Sequence, residues 1–185
     1  MKVALSAGHG KKEGVAGIIV YDPGAVYYGM AEHDVCLEIV EMVSSLCNHI
    51  PNLELVLIPP DTLHEKVAHV NASGADCAFE VHLNSATDTR VRGTEVLHFP
   101  GSSKGFKIAT ELSKWLSDFI GSPNRGPKPR SDPYFLKRTK CPAVIVEAEF
   151  LSNENVAREL SEGFLKQKIA YALAYFLFLL SKEGV

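Results

Sequence analysis

Four residues far apart in the chain are of the types that bind and use a divalent metal: His9, Glu32, His82 and Glu147. Separations of 23, 50 and 65 residues exclude a local finger-like loop, so the four can meet only where the strand ends of a folded sheet gather at one edge. His9 stands in Ala7-Gly8-His9-Gly10 after an apolar run, and the flanking glycines permit a sharp turn that leaves the ring open to a cleft. His82 closes Cys77-Ala-Phe-Glu-Val-His82 and is followed by Leu83-Asn84-Ser85. Counting back four from Cys36 sets Glu32 one turn up the stripe of Ile39, Val43 and Ile50, so its carboxylate turns inward, whereas Asp34, Glu38 and Glu41 fall on the polar face. An inward carboxylate is satisfied by a metal, by an arginine, or by the free amides and dipole of a helix N-terminus. Two histidines and one glutamate are a set that leaves a zinc position open for water.

Glu147 lies in Val144-Ile-Val-Glu-Ala-Glu-Phe150, and period-two alternation puts it on one face with Glu149 and Ile145. Two carboxylates on an apolar strand are costly unless used or paired, and either could serve as the base beside a metal-bound water. Glu80 shares a face with His82 and fits a support for that ring or a strand ion pair equally well. His98 is kept as a possible substrate contact, while His49 closes a helix, His64 and His69 ride an amphipathic one, and His33 adjoins Glu32 but points about 100° away from it. Neither a phosphate-binding glycine loop nor a G-x-S-x-G elbow is present, and the four cysteines sit in apolar patterns or before a proline, as buried free thiols do.

The elements that must position these residues alternate. Val3–Ser6, Leu53–Ile58, Cys77–His82, Thr94–Phe99 and Ala143–Phe150 read as buried strands. Helical spacing links Cys36, Ile39, Val43, Leu46 and Ile50, then Ala109, Leu112, Leu116 and Phe119, then Leu165, Ile169, Leu173, Phe176 and Leu180. Thr62-Leu-His-Glu65 is a capping box, and Gly74 closes that helix. The expected architecture is α/β: a single domain over residues 1–185 with a twisted, mostly parallel sheet of five to six strands and helices on both faces. Residues 121–141 hold four prolines and six of the 19 basic residues without periodicity and read as a long loop.

Composition excludes whole classes of function. With 46% apolar and 22% charged residues the chain builds an ordinary core, and a net charge of -3 with no basic helical face argues against nucleic acid. The opening MKVALSAGHG lacks the long apolar segment of an export signal, which points to synthesis in a reducing cytoplasm. The tract Ile169–Leu180 is short for a bilayer span and reads as a buried C-terminal helix. A monomer is the simplest expectation.

With these residues placed, the chain resembles the family 3 N-acetylmuramoyl-L-alanine amidases, zinc-dependent peptidoglycan amidases of bacteria and their phages. Leu5-Ser-Ala-Gly-His-Gly10 is similar to the family's first histidine motif, and Glu32-His-Asp-Val-Cys-Leu-Glu-Ile39 to the segment led by its second ligand. Asn71 to Asp76 with His82-Leu-Asn-Ser85 resembles the segment of the third. Gly93-Thr-Glu-Val96, Asn124-Arg-Gly126 and Pro142 through Asn153 complete the order. The resemblance implies one zinc ion per chain held by His9, Glu32 and His82, with Glu147 as the catalytic base. It also implies peptidoglycan as substrate, cut at the amide between N-acetylmuramic acid and L-alanine. Glu149 stands where the family usually has glycine and Glu80 where a small polar residue is common, which adds negative charge near the expected site. Arg125, with Lys128 or Arg130, is expected to hold a stem-peptide carboxylate, and Asn84 to contact substrate. The setting such a chain suggests is an endolysin made in the host cytoplasm and released to the wall, or the catalytic part of an autolysin. A zinc peptidase of stem peptides, or a metal-free wall-binding domain, is the competing expectation.

Overall fold

The computed structural model describes residues 1–183. In chain order the elements are β1 (Lys2–Ala7), β2 (Gly10–Glu13), β3 (Ile19–Asp22), β4 (Val26–Tyr27), β5 (Met30–Ala31), α1 (Glu32–Cys47), β6 (Glu54–Leu57) and α2 (Leu63–Ser73). They continue through β7 (Cys77–Asn84), β8 (Thr94–His98), α3 (Ser103–Ile120), β9 (Asn124–Pro129), α4 (Tyr134–Arg138), β10 (Ala143–Phe150), α5 (Glu154–Ser161) and α6 (Phe164–Glu183). Six strands form one sheet in the order β6-β1-β7-β10-β8-β9. The pairs β6-β1, β1-β7 and β7-β10 are parallel, β8 runs antiparallel to β10, and β9 is parallel to β8. This is the expected mixed, mostly parallel α/β architecture.

Both faces of the sheet are covered, which is why its central strands are apolar on both sides. On one face Val3, Leu5, Phe79, Val81, Val144 and Val146 pack under α1, α3, α5 and α6. On the other Ala4, Ala78, Leu97 and Ile145 pack under the smaller α2 and α4. The capping box forms, with Thr62 Oγ1 accepting from Glu65 N at 3.4 Å and donating to Glu65 Oε2 at 2.6 Å, and Gly74 ends α2 in the left-handed conformation.

Two readings need correction, and one segment carries no assignment from the sequence. Residues 121–141 are not one loop: Asn124–Pro129 adds β9 as an edge strand and Tyr134–Arg138 adds a short helix. Prolines hide this strand from a periodicity search, yet an edge tolerates them because one row of N–H groups has no ladder to fill. The segment between His9 and α1 folds into two small antiparallel hairpins, β2-β3 and β4-β5, whose strands of two to four residues are too short to show a period. Leu46 and Phe119 do not continue the buried stripes of their helices, whereas Ile50 still packs against the core. Leu46 and Phe119 are exposed, Ile50 lies beyond the end of α1, and Ile120 takes the buried place at the end of α3.

Candidate metal centre

β1, β7 and β10 run parallel, so their carboxyl ends share one edge, and each delivers a residue there. His9 follows β1 in the left-handed region at φ 58, a non-glycine conformation held by its surroundings. The buried His33 supplies part of that hold by donating from Nδ1 to the Gly8 carbonyl at 2.7 Å. His82 lies near the end of β7, Glu147 opposite it on β10, and Glu32 is the first residue of α1.

Glu32 is the centre of the cluster. Its Oε2 lies 3.2 Å from His9 Nε2 and its Oε1 2.9 Å from His82 Nδ1. Ala25 N donates to Oε2 at 2.9 Å and Leu83 N to Oε1 at 3.1 Å, so both oxygens are anchored from the backbone. The helix N-terminus adds a favourable dipole. Burial alone would raise the Glu32 carboxyl, but hydrogen bonds and charge from His82 and His9 outweigh it and hold the group well below the usual carboxylate range. The imidazoles respond in kind: burial would lower both, yet Glu32 raises His9, and Glu32 with Glu80 raises His82 well above its ordinary value.

The other ring nitrogens are also held. Asp22 Oδ2 lies 3.1 Å from His9 Nδ1, and Glu80 Oε2 lies 3.2 Å from His82 Nε2. Each imidazole therefore turns one nitrogen to a supporting carboxylate and the other to the centre, the arrangement that orients metal-binding histidines. Glu80 is itself fixed by Lys66, a fully buried lysine that donates to Glu80 Oε1 at 3.2 Å and to the Ala7 carbonyl at 2.6 Å. The site's close packing shows in its glycines: a Cβ on Gly8 would sit 2.2 Å from the His82 ring, and one on Gly24 2.6 Å from Glu32 Oε2.

One ligand atom from each of His9, Glu32 and His82 lies within 4.8 Å of the others. The donor set of two imidazole nitrogens and a carboxylate oxygen suits zinc. A second observation agrees: Glu147 Oε2 is buried without a hydrogen-bond partner, an orphaned acceptor at the same edge. Burial pushes the Glu147 carboxyl up to about 7. The residues present therefore fit a metal-activated water with a base beside it. A groove of about 930 Å³ borders the two histidines, lined by His9, Asp22, His64, Glu80, His82 and Tyr134 among others, with Glu32 and Glu147 outside its lining.

The remaining expected site residues divide. Asn84 and Arg125 reach the same edge and share one carboxylate: Asn84 Nδ2 donates to Glu95 Oε1 at 3.1 Å and Arg125 Nε to Glu95 Oε2 at 2.8 Å, with the Arg125 guanidinium over the Phe150 ring. Glu95 pairs with Glu147 across the β8-β10 ladder, so this group forms a rim beside the base. Arg130 is instead paired with Asp132. His98 stands at the far end of β8, opposite Val144, buried with its ring near Phe106, so it is not brought to the cluster. Glu149 is also separated, because the β7-β10 register breaks between Glu147 and Phe150. It is fully buried and neutralised by Arg92 Nη2 at 2.8 Å, with Ser122 Oγ, Gly93 N and Phe150 N donating to it. The expected extra negative charge beside the site is thus absorbed, Glu149 by Arg92 and Glu80 by Lys66.

Asp22, Lys66 and His33 were not foreseen. The count that turned Glu32 inward also finds Lys66, one turn before the buried Val70. Asp22-Pro23-Gly24 carries a turn signature that says nothing of a metal.

The chain matches a family model described as N-acetylmuramoyl-L-alanine amidase over residues 3–177. It is 26% identical over 176 residues to the N-acetylmuramoyl-L-alanine amidase LytC of Bacillus subtilis (strain 168), covering 92% of this chain and 34% of LytC. It is 28% identical over 179 residues to the endolysin of Bacillus phage SPP1, covering 91% of this chain and 61% of the endolysin. The chain thus spans about a third of one of these relatives and under two thirds of the other. Among solved structures, the catalytic domain of the amidase CwlV from Bacillus (Paenibacillus) polymyxa superposes with a TM-score of 0.82 at 25% identity, covering 99% of this chain and 98% of that one.

Proposed function

The chain belongs to the N-acetylmuramoyl-L-alanine amidase family, and from that premise we propose that it hydrolyses the amide between N-acetylmuramic acid and L-alanine in peptidoglycan, with one zinc ion held by His9, Glu32 and His82. The observation that carries this reading is the convergence of His9 Nε2 and His82 Nδ1 on the Glu32 carboxylate, at an edge shared with the partnerless Oε2 of Glu147. Bound zinc supplies a Lewis acid that lowers the pKa of water and polarises the scissile carbonyl. Asp22 and Glu80 fix the rings of His9 and His82, so the centre is organised before substrate arrives. Glu147 takes the proton from the attacking water at Oε2 and returns it to the departing alanine nitrogen, a role suited to a carboxyl pushed up to about 7 by burial. Arg125, tied to Glu95 through Nε alone, offers its other N–H groups to a stem-peptide carboxylate at the rim.

The similarity to a phage endolysin and to LytC supports a lytic role at the bacterial wall, as an endolysin or as the catalytic part of an autolysin. The test uses purified peptidoglycan with the wild-type chain and with Glu147→Gln and His9→Ala variants, with and without a chelator. The expected products are new L-alanine amino groups without new reducing sugars, lost in both variants and on chelation. New amino groups elsewhere in the stem would reassign the enzyme as a peptidase, and no release by the zinc-loaded chain would overturn hydrolysis altogether.

A further inference from the structure

The inner face of α6 is spent on the core, where Leu165, Ile169, Leu173, Phe176 and Leu180 are buried. Its outer face carries Phe164, Lys168, Tyr171, Tyr175, Phe178 and Lys182, a stripe whose steps of 4, 3, 4, 3 and 4 residues follow one side of a helix. Tyr171 is 55% and Tyr175 50% exposed, a density of outward aromatic surface that a helix facing only water has no reason to carry. Beside it, Trp115 and Phe119 of α3 and Leu46 of α1 close an apolar groove of about 430 Å³, with the Tyr175 ring stacked 5.2 Å from that of Trp115.

The order along the stripe is self-complementary. Turn a second copy antiparallel about a two-fold axis beside Leu173, and Phe164 faces Lys182, Lys168 faces Phe178 and Tyr171 faces Tyr175 of the other copy. Every ring then meets a cation or another ring. Within one chain each lysine already lies over a different ring, Lys168 Nζ 4.8 Å from the Phe164 centroid and Lys182 Nζ 5.3 Å from that of Phe178, so in the pairing each cation would sit between a ring of its own copy and a ring of the other. A parallel arrangement would instead set lysine against lysine.

We infer that α6 is the interface of an antiparallel homodimer in which the aromatic stripe of one copy covers that of the other and its groove, in place of the monomer expected from the sequence. The charges beside the stripe are balanced in pairs, Glu38 with Lys166, Glu111 with Lys107 and Asp118 with Lys114, so the surround offers an anionic lipid surface little net positive charge. Although α6 is long and apolar enough to cross a bilayer by length and composition, inserting it would strip the core of its inner face.

Sedimentation velocity on the full chain over a concentration series tests this directly. The expected result is a monomer–dimer equilibrium, with Tyr171→Ser/Tyr175→Ser raising the dissociation constant by roughly a hundredfold while leaving the circular dichroism unchanged. Orientation is tested in a Cys141→Ser background under copper-phenanthroline oxidation. A mixture of Tyr171→Cys and Tyr175→Cys chains should cross-link, and Phe164→Cys chains alone should not, because an antiparallel pairing holds the two copies of residue 164 roughly 27 Å apart. A chain that stays monomeric, a dimer indifferent to the tyrosine substitutions, self-cross-linking through residue 164, or a monomer that binds phosphatidylglycerol vesicles would each overturn the assignment.

Discussion

The catalytic role proposed for Glu147 comes with a stability cost, and the two can be measured apart. Its carboxyl moves from 4.5 to about 7 on folding, chiefly through burial. Below pH 4.5 the folded and unfolded chains both hold the proton, so the group is neutral to stability. Between pH 4.5 and about 7 the unfolded chain releases it while the folded chain keeps it, so stability falls as pH rises and the full penalty is present above that range. Glu147→Gln should therefore abolish most hydrolysis, by roughly 10²–10⁴-fold. The same variant should make the metal-free chain more stable at pH 8, by on the order of 3 kcal/mol. Urea unfolding at pH 4 and pH 8 checks the second part, and equal destabilisation at both would show that Glu147 is an ordinary packed residue. Glu80 holds the His82 ring and would act on the proposed metal through it, so Glu80→Gln, which keeps the shape and loses the charge, should weaken zinc binding by about 10–100-fold in a chelator competition. Unchanged affinity would reduce the Lys66–Glu80 pair to a core ion pair. The inward carboxylate of Glu32 was legible from helical spacing, as Lys66 is in retrospect. The partners of Glu80 and His9 come from other elements, and one-dimensional spacing holds no record of them.

At the scale of elements, what was legible followed burial. β1, β7 and β10 are covered on both faces and read as apolar runs, and the inner stripes of α1, α3 and α6 read as 3.6-residue repeats. β9 was illegible because an edge strand can hold Pro127 and Pro129, and the hairpins before α1 because their strands are only two to four residues long, too short for a periodicity to show. Strict alternation also misled at one point: it set Glu147 and Glu149 on one face, but the irregularity after Glu147 sends the second carboxylate to the start of β8. There Arg92, Ser122 and two backbone amides bind the ends of β8, β9 and β10 together. Arg92→Ala leaves a fully buried carboxylate without its cation. Breaking a buried pair costs ~3–5 kcal/mol, and because Arg92 is about a third exposed the expected loss is nearer 2–4 kcal/mol. Denaturant midpoints measure the loss, and zinc affinity should stay at the wild-type value because this cluster is separate from the histidines. A parallel loss of zinc binding would mean that the two carboxylates act as one site after all.

For the molecule as a whole, the order of construction decides what the metal does. Two apolar clusters, one on each face of the sheet, hold the strands and helices together without any contribution from His9, Glu32 or His82. The ligands are added at the carboxyl edge, and in the metal-free chain their charges already compensate one another, with carboxylates against raised imidazoles. A zinc ion taken up as proposed would displace those imidazole protons, so its uptake should release protons and weaken as pH falls through the raised histidine values. In the proposed zinc-loaded enzyme the metal would therefore stabilise the fold by mass action rather than create it. At a free concentration of 100 times its dissociation constant the gain is about 2.7 kcal/mol. For a domain of this size that corresponds to a rise in Tm of roughly 5–11 °C. Calorimetry with zinc and with chelator should show that rise, while the far-UV circular dichroism of the chelated chain stays that of the folded α/β domain. Loss of the helical signal on chelation alone would mean that the sheet edge cannot close over its own charged groups, and would make the centre a structural element as well as a catalytic one.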